Sequence, residues 1–181
     1  PSLASQYGSA IHDTMEWIQH QVDEKGKIPT TAYFFKEFVR ILRTKKLPDH
    51  QTELEIERGE RALTSYIKQR GDIFKPGDRA EQNFWDEGVF IGDVHMNGKI
   101  DRMEIDKEKK EIIVVDYKTS KPFDGWKADA RLHKYKQQLY CYKLLIENSR
   151  TFKGYYVKEG RLEFIEPNQR GKIQTLTLKF E

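Results

Sequence analysis

The chain has 181 residues; 37% are hydrophobic, 34% charged and 12% aromatic, and 32 basic against 29 acidic groups leave a net charge of +3. This composition supports a folded domain with its own core and excludes a disordered chain, while the near-balanced charge leaves any phosphate-binding face to local clustering. The single cysteine, Cys141, excludes an internal disulfide framework and a cysteine-rich zinc or iron–sulfur centre, and no apolar run is long enough for a membrane span or a signal peptide.

A helical pattern starts almost at once: Ile11, Met15, Ile18 and Val22 recur at helical spacing. The segment Lys25-Gly-Lys-Ile-Pro29 breaks it, and Thr30 or Thr31 caps a second helix containing Phe34, Phe35, Phe38, Val39 and Leu42. After Leu47-Pro48-Asp49 a third helix is predicted from about Gln51 to Arg70, with Leu54, Ala62, Leu63, Tyr66 and Ile67 on its buried side. Gly71 and Pro76-Gly77 mark its exit. The pattern then changes to strands: Arg79 to Trp85, Val89 to Met96, Gly98 to Ile105 and Glu111 to Thr119. A helix follows over about Ala128 to Asn148, then strands at Phe152 to Val157, Arg161 to Ile165 and Ile173 to Phe180. The expected architecture is an α/β domain with a mixed sheet and an N-terminal helical layer. The whole is read as one domain, residues 1–75 mainly helical and 76–181 sheet-containing. Because helix follows directly on Pro1, the chain reads as a piece of a longer polypeptide, although removal of an initiator Met would leave the same start.

The informative stretch runs from Gly98 to Thr119. If residues 107–110 form the loop of an antiparallel hairpin, Asp106 faces Glu111 and, counting back along both strands, Asp101 faces Asp116. Two carboxylates opposed across a ladder lie roughly 5 Å apart at Cβ and repel, unless a divalent cation between them reverses the sign. Lys118 follows Asp116 by two residues and so shares its face. Ile112 and Val114 lie on that face and Ile113 and Val115 on the other, the mark of a central, buried strand. Spacing alone is equally compatible with an ordinary hairpin that ends in Asp and Lys.

Gly98-Lys-Ile-Asp101, followed by Val115-Asp116-Tyr117-Lys118-Thr119, resembles the signature of the PD-(D/E)xK nucleases. Gly8-Ser-Ala-Ile-His12 and Gln138-Leu-Tyr-Cys-Tyr142 are similar to two further motifs of the RecB-like branch, in the same order along the chain. The resemblance implies a restriction-endonuclease-like core with a mixed central sheet flanked by helices. It also implies a Mg²⁺- or Mn²⁺-dependent deoxyribonuclease, exonucleolytic and acting in repair or recombination. Asp101, Asp116, the Tyr117 backbone carbonyl and His12 would hold the metal, with Glu81 a possible third carboxylate. Lys118 would face the scissile phosphate. Gln138 and Tyr142, four apart on one helix face, would sit beside the site as further catalytic groups, Gln137 being the alternative glutamine. Packing alone would also explain a lone helical histidine or Tyr142.

Lys121, Lys127, Arg131, Lys134 and Lys136 interleave with Phe123 and Trp126, a pattern fit for phosphates and bases or for a solvated helix face. His95 and His133 are lesser candidates for DNA contact; His20 and His50 read as exposed. Relatives with an iron–sulfur cluster need four cysteines, so the comparison narrows to the cluster-free RecB or AddA type, usually fused to a helicase motor. No phosphate-binding Gly-rich Lys-Ser/Thr loop is present, and a motor would lie outside this stretch. The expected partners are therefore DNA and a helicase, with no membrane, in a bacterial-type cytoplasm. A silent DNA-binding or scaffold module of the same fold is the alternative, and a sequence-specific restriction endonuclease fits less well.

Overall fold

In the computed structural model, which describes residues 2–180 with Leu3 by its backbone alone, three helices come first. Helix α1 (Leu3–Lys25) starts where the Ser2 side chain accepts from the Ser5 amide and ends at Gly26, whose φ of 75° is the left-handed conformation that favours glycine. Helix α2 (Thr31–Thr44) is capped by Thr30 and buries Phe34, Phe38, Ile41 and Leu42. Helix α3 (Asp49–Arg70) buries Thr52, Glu55, Gly59, Ala62, Leu63 and Tyr66. A Cβ at Gly59 would collide with the Phe38 ring, so this glycine sets how closely α2 and α3 approach. Leu54 is not on the buried side: it is 57% exposed. The buried stripe of α3 includes the polar Thr52 and Glu55, which a count of apolar residues does not see.

The strands are β1 (Arg79–Asn83), β2 (Phe90–Ile91), β3 (Val94–His95), β4 (Lys99–Asp106), β5 (Glu111–Lys118), β6 (Tyr156–Phe164) and β7 (Thr175–Lys179); helix α4 (Ala130–Glu147) lies between β5 and β6. Five form one sheet in the order β1-β4-β5-β6-β7. Neighbours pair antiparallel except β5 and β6. There the Tyr156 amide donates to the Lys110 carbonyl at 2.8 Å and the Ile165 amide to the Lys118 carbonyl at 3.0 Å, advancing in one direction as parallel strands do. The result is the α/β class with a mixed sheet, consistent with the restriction-endonuclease-like core.

Three predicted strands differ. Val89 to Met96 turns back at Gly92 (φ 61°) into a small hairpin of its own, Phe90 opposite His95. Phe152 to Val157 and Arg161 to Ile165 merge into the single strand β6. Gly160 does not interrupt it: a Cβ there would lie about 3.0 Å from Leu139, so the glycine admits the α4 side chain.

The chain divides into two compact units. One comprises the chain to Gly77, Tyr117–Pro122 and Phe164–Gln174, with a core that includes Tyr7, Ile11, Phe38, Leu63, Tyr66 and Ile165. The other comprises Asp78–Asp116, Phe123–Glu163 and the chain from Thr175, with Ile100, Met103, Val114, Leu139, Leu162 and Phe164's neighbour Glu163 among its buried residues.

Candidate active site

The hairpin β4–β5 has the register expected from its loop: Asp106 faces Glu111, and the pairing continues to Arg102 opposite Val115. Extended by one step beyond that pair, the same register sets Asp101 against Asp116. Both are buried, at 7% and 2% exposure, so their charges are not spent on solvent. On the other side of β4, Ala80 pairs with Arg102 and Gln82 with Ile100, which leaves Glu81 opposite Asp101. Glu81 has a φ of 49°, left-handed for a non-glycine residue. Such a backbone costs on the order of 1–3 kcal/mol and concentrates at sites where a side chain must be aimed. Carboxylate oxygens of Glu81 and Asp101 come within 4.8 Å of each other, and Lys99 Nζ lies 3.0 Å from Glu81 Oε2.

Helix α4 brings Tyr142 to this acidic group. Its phenol is pushed far above the usual range, first by burial and then by the negative charges of Asp116, Asp101 and Glu81. The hydroxyl therefore stays a neutral donor. Gln138 Nε2 donates to Tyr142 Oη at 2.7 Å, as residues four apart on a helix can. Gln138 is half-buried, whereas Gln137 is exposed and lies off this face.

Strand β5 continues past Asp116. Its Tyr117 carbonyl lies 3.1 Å from His12 Nε2 on α1. With the ring proton on Nε2 this contact is a hydrogen bond; with it on Nδ1, Nε2 offers a lone pair instead. Two neighbouring ligands on an octahedral cation with bonds of about 2.1 Å are about 3.0 Å apart. The two atoms thus have the spacing of a shared ligand pair. Alternation puts the half-buried Lys118 on the face of Asp116. A Cβ at Gly8 would stand 3.2 Å from Thr119 Oγ1, so glycine one turn before His12 permits the close approach of α1 to this strand end. Glu81 and Asp101 offer carboxylate oxygens, which suit a hard divalent cation better than a soft one.

The model of the PD-(D/E)XK nuclease superfamily matches residues 1–179. The chain belongs to this superfamily. No curated protein matches it. Membership assigns the chain to the nuclease hydrolases as a class, with DNA as the substrate class, and the α/β core with its mixed sheet agrees with that fold. Among the described residues, no helix is long and apolar enough to cross a membrane.

Lys121, Lys127, Arg131 and Lys134 are exposed. Lys127 and Arg131 sit over the Phe123 ring at 5.5 and 5.4 Å, and Lys136 over Trp126 at 5.0 Å. Trp126 Nε1 donates to the Thr177 carbonyl at 2.8 Å. These rings already carry cations of the same chain. His20, His50, His95 and His133 are exposed, and His95 Nε2 contacts the Trp85 carbonyl at 3.1 Å.

Sequence reading missed two charged groups. On the opposite face of the β4–β5 hairpin, the fully buried Arg102 bonds Glu104 and lies 3.6 Å from Asp78. Arg161 bonds Glu104 at 2.6 Å and Glu163 at 2.5 Å. The alternation Asp101-Arg102-Met103-Glu104 was the available signal, since it sends Arg102 and Glu104 to the face of Val115 and Ile113. The second group surrounds Arg58, whose partners Thr119 and Glu166 lie far from it in sequence.

Proposed function

We propose that this chain is a Mg²⁺- or Mn²⁺-dependent deoxyribonuclease domain of the cluster-free RecB/AddA-like branch, acting as an exonuclease in DNA repair or recombination. In this reading it is a single nuclease domain of a larger cytoplasmic helicase–nuclease. The observation that carries the nuclease reading is the gathering of Glu81, Asp101 and Asp116 at the buried end of adjacent strands, with Lys118 two residues beyond Asp116. The branch assignment is supported by the Gly8/His12 and Gln138/Tyr142 motifs: His12, Gln138 and Tyr142 make the contacts described above, and Gly8 leaves room beside Thr119.

Asp101, Asp116, the Tyr117 carbonyl and His12 would hold the cation, with Glu81 as a further carboxylate. Asp116 and Tyr117 are consecutive residues, so one strand end presents both a side-chain and a main-chain oxygen. When bound, the cation supplies Lewis-acid neutralisation of the scissile phosphate and acidifies a water. Lys118 brings a positive charge to the phosphate oxygens, where negative charge grows in the transition state, and orients the attacking water. Tyr142 keeps its proton and donates a hydrogen bond; Gln138 fixes the direction of that hydroxyl. Lys121, Lys127, Arg131 and Lys134 contribute sequence-independent phosphate attraction that weakens with salt.

The test is cleavage of labelled linear and circular DNA, single- and double-stranded, with Mg²⁺ or Mn²⁺. Wild-type protein should degrade the linear substrates, and Asp116→Ala and Lys118→Ala should lower the rate by on the order of 10²–10³-fold, the usual cost of removing one electrostatic stabiliser. Equal products from all three proteins, or none from the wild type, would leave the silent DNA-binding module instead.

A further inference from the structure

We propose that Arg58 is a positioning residue that fixes the exit of β5 and thereby the placement of the Lys118 amine; this rests on the reading of Lys118 as the phosphate-facing lysine. Three consecutive carbonyls at this exit are each caught by a different part of the chain. Tyr117 O meets His12 Nε2 at 3.1 Å, Lys118 O accepts from the Ile165 amide at 3.0 Å, and Thr119 O accepts from Arg58 Nη2 at 3.3 Å. A strand end is where local fraying is cheapest. The first two contacts belong to the candidate ligand set and the sheet; Arg58 serves neither.

The guanidinium also spans two exits at once. Lys118 and Ile165 are bonded across neighbouring strands, and Arg58 binds the next residue of each: the Thr119 carbonyl through Nη2 and the Glu166 carboxylate through Nε. Its third nitrogen, Nη1, lies 3.4 Å from Glu55 Oε2, and the other oxygen of that carboxylate, Oε1, accepts from Gln51 Nε2 at 2.9 Å. The Arg58 Cζ stands 4.0 Å from the centre of the Tyr7 ring, and the buried Tyr7 hydroxyl donates to Glu166 Oε1 at 3.4 Å. Three nitrogens thus reach three groups in a fixed fork while the planar cation rests on an aromatic face. Lysine, a single-point donor on a flexible stem, cannot reproduce this. Two carboxylates around Arg58 also disfavour a role as a DNA phosphate contact, because a third anion would face Glu55 and Glu166.

A misplacement of about 1 Å at a reacting group costs on the order of 10²-fold in rate. The experiment measures kcat and KM for DNA cleavage at saturating Mn²⁺, with circular dichroism melting, for wild type, Arg58→Ala, Arg58→Lys and Lys118→Ala. Expected is a fall in kcat of about tenfold to 10²-fold in folded Arg58→Ala, with KM within about twofold, and no more than partial recovery in Arg58→Lys. If the alanine protein does not fold, the lysine protein, which keeps the charge, carries the comparison, and its kcat should still lie below that of the wild type. A lowered melting temperature with wild-type kcat in either variant makes Arg58 merely structural and overturns the inference. So does a raised, salt-sensitive KM at unchanged kcat, the sign of a phosphate contact. Should Lys118→Ala itself cleave at the wild-type rate, the nuclease reading fails, and the positioning role with it; loss in Lys118→Ala alone defeats only the role of Arg58.

Discussion

The two faces of the β4–β5 hairpin bury acidic side chains in opposite ways. On one face, Glu104 and Glu163 are matched by Arg102 and Arg161, with Asp78 beside them, and the carboxylates are satisfied by guanidinium groups of the same sheet. On the other, Asp101 and Asp116 meet Glu81 and the phenol of Tyr142. The cations near them, Lys99 and Lys118, are single-point amines, and the Lys99 side chain is 58% exposed. The first face is an electrostatic circuit in which every carboxylate has a guanidinium beside it. The second is a concentration of negative charge, which in the proposed function a divalent cation would offset. Buried carboxylates therefore do not mark a site by themselves; the partner chemistry around them does.

The closed face should show the largest stability effect. Arg102→Met removes a fully buried cation, takes it from the buried Asp78 and leaves Glu104 with Arg161 alone, and breaking a buried pair in this way costs about 3–5 kcal/mol. Urea denaturation should show that loss as a lower midpoint at unchanged slope. A loss below about 1 kcal/mol would mean that this face is no more demanding than a surface ion pair.

A smaller effect is expected from pH. Burial alone would raise the Glu104 carboxyl, but Arg161 and Arg102 outweigh it and hold the group below the usual carboxylate range. A group depressed in the folded state stabilises above its unfolded pKa and loses that contribution as pH falls through its folded value. Wild-type stability should therefore fall on the acid side of about pH 4, by no more than about 1.4 kcal/mol per pH unit for this one proton. Glu104→Gln should be less stable at neutral pH and lose less between neutral and acid. Parallel pH curves for the two proteins would assign the acid response elsewhere.

How much of this was legible in the sequence follows from how local each feature is. A four-residue loop and two alternating strands determine which residues face one another, so the opposition of Asp101 and Asp116 could be counted out. Gln138 and Tyr142 share a helix face by spacing alone. The left-handed backbone of Glu81 had no such signal, because nothing in Ala80-Glu-Gln-Asn83 asks for a positive φ. Arg58 was equally hidden: its partner Glu166 is 108 residues away, and no periodicity links them. Residues 89–96 misled because their apolar character fits a strand as well as a hairpin, and Gly92 decides between them. Leu54 misled because α3 turns a stripe inward that carries Thr52, Glu55 and Gly59.

The central claim is that the open face is poised for a divalent cation, and thermal melting with and without Mn²⁺ tests it most directly. Removing one of the opposed charges by Asp116→Asn should raise the melting temperature of metal-free protein by about 2–4 °C, the shift that roughly 1 kcal/mol produces in a domain of this size. Mn²⁺ should stabilise the wild type and leave Asp116→Asn unmoved. If Mn²⁺ shifts neither protein, or shifts both equally, the carboxylates are not a cation site and the account fails.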